Sequence, residues 1–508
     1  MNNLESYLFW KMAYFLIAEQ DYRIVKLSQE QNELWLEKRE NKKAQLVRIL
    51  KYDIDWSNWL QQDIERTALN GERIRKQITR GELQVVNIYL STYLPVDDYQ
   101  FRINKPFAHP KESKTNVHSF LISRLNYREE SGRLAGLVDT NWDFSELDGD
   151  NEEMIEELKR DTLNLAVQRE KQDKAVFEQG KPLFTYMFIA IQVLMFLILE
   201  LFGGSTDTST LIQFGAKFNP LILEGEWWRF LTPMVLHIGF LHLAMNTLAL
   251  FYLGTTVERI FGRLRFLFIY IVAGFAGTVA SFIFSPNLSA GASGAIFGCF
   301  GALLYFGALN PKLFLRTMGL NIFVVLAINL SFGFTVPGID NAGHIGGLIG
   351  GFLASGIVHF PKKRKLVIQM VFLALTLAIA GGMVRYGFTH PEQVVDENST
   401  LVLAQEYLEK EKYEQAYQLL HDLSYSESPS SQFYFLLSFT EIKLEKIDEA
   451  ERSLLKAIEL EPNFHEAHYN LALVYLQEQE FEKAKLHAEK AVEISPNQDY
   501  LRLLNQFN

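Results

Sequence analysis

Charged side chains disappear from long stretches in the middle of the chain. Uncharged runs cover 182–199, 231–257, 266–311, 317–339, 341–361 and 366–384. An α-helix needs about 20 apolar residues to cross a bilayer, so each run predicts a span. The run 266–311 is long enough for two, with Ser-Pro-Asn-Leu-Ser-Ala-Gly-Ala-Ser (285–293) as the break between them. Seven spans result, the fifth being the weakest because Arg316 and Asn329 flank or enter it. Ahead of them, 22–28, 33–39, 45–52 and 83–92 have the apolar, β-branched pattern of strands, and 56–80 reads as a helix. That predicts a mixed α/β domain over 1–180.

The carboxy-terminal pattern is a repeat. Ala416, Ala450 and Ala484 are 34 residues apart, as are Tyr413, Ile447 and Phe481, and Pro462 and Pro496 share the spacing. A 34-residue period with a small residue where helices cross resembles tetratricopeptide repeats. The units 431–464 and 465–498 match well; the first is weaker, because Ser428 stands at the proline position with Pro429 beside it. Stacked helix pairs of this kind present a concave surface to a protein or peptide partner. A plain stalk or a dimerisation module is the alternative.

Composition sharpens the division. The 508 residues are 48% hydrophobic and 21% charged, with a net charge of −11. Between Leu183 and Phe388, however, there are only 12 Lys/Arg and 6 Asp/Glu, a net of +6 that leaves the flanks at −17. A single soluble globule is excluded, as is a nucleic-acid partner met by a basic surface. The lone cysteine, Cys299, rules out an intrachain disulfide and a Cys-rich metal site. The opening MNNLESYLFWKMAYFLIAEQ lacks the basic start of a secretion signal, and Lys11 interrupts it. Nine acidic residues fall in 143–161, but Glu153 stands where a calcium loop needs glycine and Lys159 where it needs glutamate. That segment reads as a solvated linker helix. No motif in 1–180 names a role.

Lys and Arg in short loops mark the cytoplasmic side. Arg259, Arg263 and Arg265 follow span two, Lys312 and Arg316 follow span four, and 361–365 follows span six. The loops after spans three and five have none; only the loop after span one, with Lys217 and Arg229, is ambiguous. The expectation is a multi-pass protein of a cell membrane, most simply a bacterial plasma membrane. Its amino terminus is cytoplasmic and its carboxy terminus extracytoplasmic.

Polar residues inside a bilayer are costly and point to function. Four clusters stand out: Glu226-Trp-Trp-Arg229; His237, His242 and Asn246; Gly291-Ala-Ser293-Gly294; and Gly343-His344-Ile-Gly-Gly347. The last two open spans four and six, which start at the same face. Ser293 and His344 are thus expected at one depth, and glycines on both helices allow close packing. A serine hydroxyl needs a base within hydrogen-bond reach to act as a nucleophile. His242 and Asn246, four residues apart, share a helix face.

Together the clusters resemble the rhomboid intramembrane serine proteases over about 183–360. The fold this implies is a polytopic α-helical membrane protein. It has a rhomboid-like six-helix core plus a seventh span, an N-terminal soluble α/β domain and a C-terminal tetratricopeptide solenoid. The domains are expected at 1–180, 181–388 and 389–508. The resemblance makes Ser293 the nucleophile and His344 the general base. His242, Asn246 and the Ser293 N–H become oxyanion donors, and Phe297 an aromatic support where the family often has Tyr. Gly291 and Gly294 belong to the serine motif. His237 is expected to fix the loop after span one, Trp228 and Arg229 to brace it, and Glu258 to tie helix ends together. Asp340, one turn before His344, reads as a loop residue at the membrane surface. The expected substrates are transmembrane proteins, with no cofactor and no metal. The flanking domains are expected to recruit clients or regulators.

Two other classes stay in view. An inactive relative would have lost Ser293 or His344, and both are present. A transporter would need polar groups along the whole path rather than at one depth.

Overall fold

A computed structural model describes residues 4–78, 81–108, 113–138, 152–361, 365–423 and 429–507. Two compact units emerge, Met1–Val176 and Phe177–Asn508.

In the first unit the elements run α1 (Leu4–Ala18), β1 (Arg23–Leu27), β2 (Glu33–Glu37), β3 (Leu46–Lys51), α2 (Ser57–Ile78), β4 (Leu83–Leu90), α3 (Gln100–Ile103), β5 (Phe107–Ala108), β6 (Thr115–Ile122), α4 (Tyr127–Val138) and α5 (Glu152–Val176). The sheet order is β1-β2-β3-β4-β6-β5, with β3, β4 and β6 mutually parallel. Side-chain alternation divides its two faces. Val47, Ile49, Val86 and Ile88 bury against α1, while Leu46, Val85, Val117 and Leu121 bury against α2. The opening apolar run is α1, a helix buried on most of its circumference and hence a core element. Buried Arg48 is matched by polar partners: it donates to Glu33 at 2.6 Å, Asp63 at 2.5 Å and Thr67 at 2.9 Å. Of the acidic run, 143–151 lies outside the described residues. The remainder opens α5, whose Ile155, Leu158 and Leu163 pack against the core that α1 builds.

The second unit begins with α6 (Phe184–Leu201), α7 (Thr208–Gln213) and α8 (Asn219–Leu223), then two 3₁₀ turns, Trp227–Phe230 and Thr232–Val235. It continues through α9 (Gly239–Phe261), α10 (Arg263–Phe284) and α11 (Ser293–Leu309). Next, α12 (Pro311–Phe314) passes through a π turn, Leu315–Gly319, into α13 (Leu320–Thr335), followed by α14 (Asn341–Val358) and α15 (Leu366–Thr389). Among the described residues six helices are long and apolar enough to cross a membrane, and α11 is a shorter apolar helix. The second span starts at Gly239 rather than at 231, because Pro233 and the Trp-Trp-Arg segment wind the preceding apolar residues into 3₁₀ turns. Lys362–Arg364 lie outside the described residues.

Helices α10, α11 and α14 form the centre, with glycines at their contacts. At one end of the bundle the Glu258 carboxylate accepts from the backbone N–H groups of Leu183, Phe184 and Thr185 and from Thr185 Oγ1. This caps the amino terminus of α6. The opposite end carries α7, α8, the segment 285–292 and the first turns of α11 and α14.

After α16 (Pro391–Val394) the chain forms helix pairs α17 (Glu397–Glu409) with α18 (Tyr413–Leu423), α19 (Ser431–Lys443) with α20 (Ile447–Leu460), and α21 (His465–Gln477) with α22 (Phe481–Ile494). A last helix, α23 (Gln498–Leu504), covers the stack. Ala416, Ala450 and Ala484 are fully buried. Ser428 lies outside the described residues. Leu403, Tyr407 and Ala416 of the first pair bury against Ile212, Phe218 and Leu221, and the Tyr407 hydroxyl donates to Glu224.

Candidate active site

Ser293 is the first residue of α11, and Ala292, just before it, is fully buried. One turn further on, the Phe297 ring stacks on His344 with centroids 4.2 Å apart and planes 9° from parallel. This stack can form only because α11 and α14 touch through their backbones. A Cβ on Gly347 would lie 2.6 Å from the Gly294 carbonyl carbon, and one on Gly294 would lie 3.3 Å from the Gly343 oxygen. His344 is half-buried, and its Nδ1 makes no hydrogen bond to the described residues.

His242, on α9, lies beside Gly291 of the serine motif. Gly291, at φ +152°, leaves the space between His242 and Ser293 open: a Cβ there would lie 3.0 Å from His242 Nε2 and 3.8 Å from Ser293 Oγ. Asn246 shares the face of His242 and donates one amide hydrogen to its carbonyl at 3.0 Å. An amide nitrogen has a second hydrogen to offer. His237 is fully buried, with its ring centroid 5.3 Å from that of His242.

The segment between α6 and α9 is held by Arg229, whose Nη1 donates to the carbonyls of Ile212 and Ala216 at 2.8 and 2.9 Å while Nε meets Glu226 at 2.6 Å. Trp228 is 44% exposed. Cys299 is buried. Among the described residues no group of three or more His, Cys, Asp or Glu side chains is arranged to hold a metal ion.

Three polar residues that the motifs do not single out converge on the same end. Lys217 is fully buried, and its Nζ donates to the carbonyls of Ser285 and Asn287. Burial pulls its ammonium down to about 7, opposed by the nearby Asp340 and Asp396. Ser289 pairs with Lys217 through two backbone hydrogen bonds, at 2.8 and 3.0 Å. Asp340 is not a free loop residue: it is the N-cap of α14, accepting from Gly343 N–H and from Ser289 Oγ, each at 2.8 Å. Both its carboxylate oxygens are thus engaged. The signal for Asp340 was an N-cap residue three before the first glycine of an apolar helix. Nothing in the pattern distinguished Lys217 from an interfacial lysine.

A rhomboid domain model matches residues 224–362, and tetratricopeptide repeat models match 465–498 and 440–479. A model of anaphase-promoting complex subunit 3 matches 390–457. Rhomboid protease GluP of Bacillus subtilis is 42% identical over 479 residues, covering 93% of this chain and 92% of its own. Putative rhomboid protease YdcA of the same organism is 33% identical over 36% of this chain and 92% of its own. Rhomboid protease AarA of Providencia stuartii is 27% identical over 44% and 90%.

The apolar helical bundle and these matches together define a polytopic membrane hydrolase. The chain belongs to the rhomboid family. It is a serine protease, embedded in a membrane and carrying tetratricopeptide repeats at its carboxy-terminal end.

Proposed function

We propose that the chain cleaves membrane proteins in or near their transmembrane helices by a Ser293–His344 dyad. The observation that carries this is the stacked Phe297–His344 pair, one turn from Ser293 on helices in backbone contact. Ser293 Oγ attacks the peptide carbonyl carbon as His344 takes its proton. The oxyanion that forms accepts hydrogen bonds from His242, Asn246 and the Ser293 N–H. Cleavage of the C–N bond passes the proton from His344 to the leaving amine. Water, activated by the same imidazole, then hydrolyses the acyl ester. Desolvated donors of this kind are each worth about 10²–10³ in rate. No cofactor enters these steps.

The loop charges favour a cytoplasmic first unit, an extracytoplasmic repeat domain and a reactive end that opens outward from a bacterial plasma membrane. Trp228 and Arg229 brace the segment after α6, His237 supports it from beneath His242, and Glu258 fixes α6. The repeats present a surface for a protein or peptide partner, and the flanking domains recruit clients or regulators. Labelling of the full chain by a fluorophosphonate tests the chemistry. Ser293→Ala is expected to abolish it, and labelling that persists unchanged in that variant would sink the assignment.

A further inference from the structure

The residues that surround the serine are anchored from two sides. Segment 285–292 leaves α10 and delivers Ser293 to the start of α11. On one side Lys217 holds the carbonyls of Ser285 and Asn287 and pairs with the backbone of Ser289. On the other, the Ser289 hydroxyl donates to Asp340. Ser289 stands four residues before Ser293, and Asp340 stands four before His344. One carboxylate therefore touches the serine's lead-in segment and, through Gly343 N–H, the first turn of the histidine's helix.

This arrangement differs from a catalytic triad. In a triad the carboxylate would bind the imidazole and set its tautomer. Here both carboxylate oxygens are used elsewhere, and His344 Nδ1 makes no hydrogen bond to the described residues. The glycine contacts of α11 and α14 set how close the two helices come. Glycine surfaces carry no side-chain knobs, so they do little to stop one helix sliding along the other. A directional hydrogen bond across the top of the pair supplies that constraint.

We propose that Asp340, through Ser289, is a positioning residue that sets the register of Ser293 against His344. The inference rests on the Ser293–His344 reading given above. A misplacement of about 1 Å between reacting groups can cost about a hundredfold in rate, and loss of one hydrogen bond permits part of that.

Two substitutions separate positioning from helix capping. Ser289→Ala removes the link and leaves the cap of α14 intact. Asp340→Ser keeps a good N-cap residue that is too short to reach Ser289. In the full-length protein in micelles, each is expected to slow fluorophosphonate labelling of Ser293 and to lower kcat by about tenfold. KM and the thermal midpoint should stay unchanged. The double variant is expected to be no slower than either single one, because both break the same link. Labelling at the native rate in both variants overturns the inference, as do losses that multiply or that track a fall in thermal midpoint. Ser293→Ala run in parallel keeps the two readings apart. Persistent labelling there removes the dyad itself. Abolished labelling there, with native rates in the other two variants, removes only the positioning role.

Discussion

Replacing Gly347 by alanine adds one methyl group where the backbones of α11 and α14 meet. That methyl would lie 2.6 Å from the Gly294 carbonyl carbon and 2.9 Å from its Cα, against an ordinary contact of 3.4–4 Å. The obstacle is backbone inside a helix, so no rotamer change relieves it. The helices must separate by about 1 Å, at a cost of about 1–3 kcal/mol for overpacking. The separation acts on the pair that carries Ser293 and His344. A displacement of this size predicts a loss of about a hundredfold in turnover. The assay is cleavage of a transmembrane substrate in proteoliposomes, with folding followed by thermal unfolding in micelles. Gly381→Ala, on α15 where a Cβ meets nothing within 4 Å, is the matched control and should be neutral. Native turnover in a folded Gly347→Ala protein would refute the claim that close backbone contact sets the dyad.

Two further outcomes follow from buried carboxylates. Glu258→Ala strips the cap from three backbone N–H groups and one hydroxyl at the start of α6; a loss of about 3 kcal/mol is expected from stranded buried donors, read as a lower thermal midpoint, with Glu258→Gln losing less. Burial raises the Glu441 carboxyl to about 7, so the stability it contributes is fully present below its ordinary value of 4.5 and is lost as pH rises through 7. Hydrogen exchange in α19 and α20 of the full chain should accelerate from pH 5 to pH 8, after correction for intrinsic rates, and Glu441→Gln should abolish that dependence.

The spans and the repeat period were legible because both are periodic in polarity, and periodicity survives in a bare sequence. Ser293, His344, His242 and Asn246 stood out for the related reason that polar groups are rare where the chain is otherwise apolar. What escaped is what depends on three dimensions. Uncharged 231–238 looks like part of a span, yet Pro233 winds it into a short turn. Strand β6 was missed because Asn116, His118 and Ser119 break its apolar run, although its partner β4 fixes it in the sheet. Glu441 is 34 residues from both Tyr407 and Tyr475, so the repeat hides a carboxylate at a position its neighbours fill with tyrosine. Lys217 was read only as a loop charge, because burial of a lysine against carbonyls leaves no trace in local composition.

The first helix pair of the repeat domain sits on the segment after α6, with Tyr407 bonded to Glu224 and Leu403 packed among Ile212, Phe218 and Leu221. A module on a flexible tether offers a bound client at a local concentration that falls as the tether lengthens. A seated module removes that dilution. Under the proposed role of the repeats, a client held by the solenoid would travel as one body with the bundle, and its capture and presentation would become a single event.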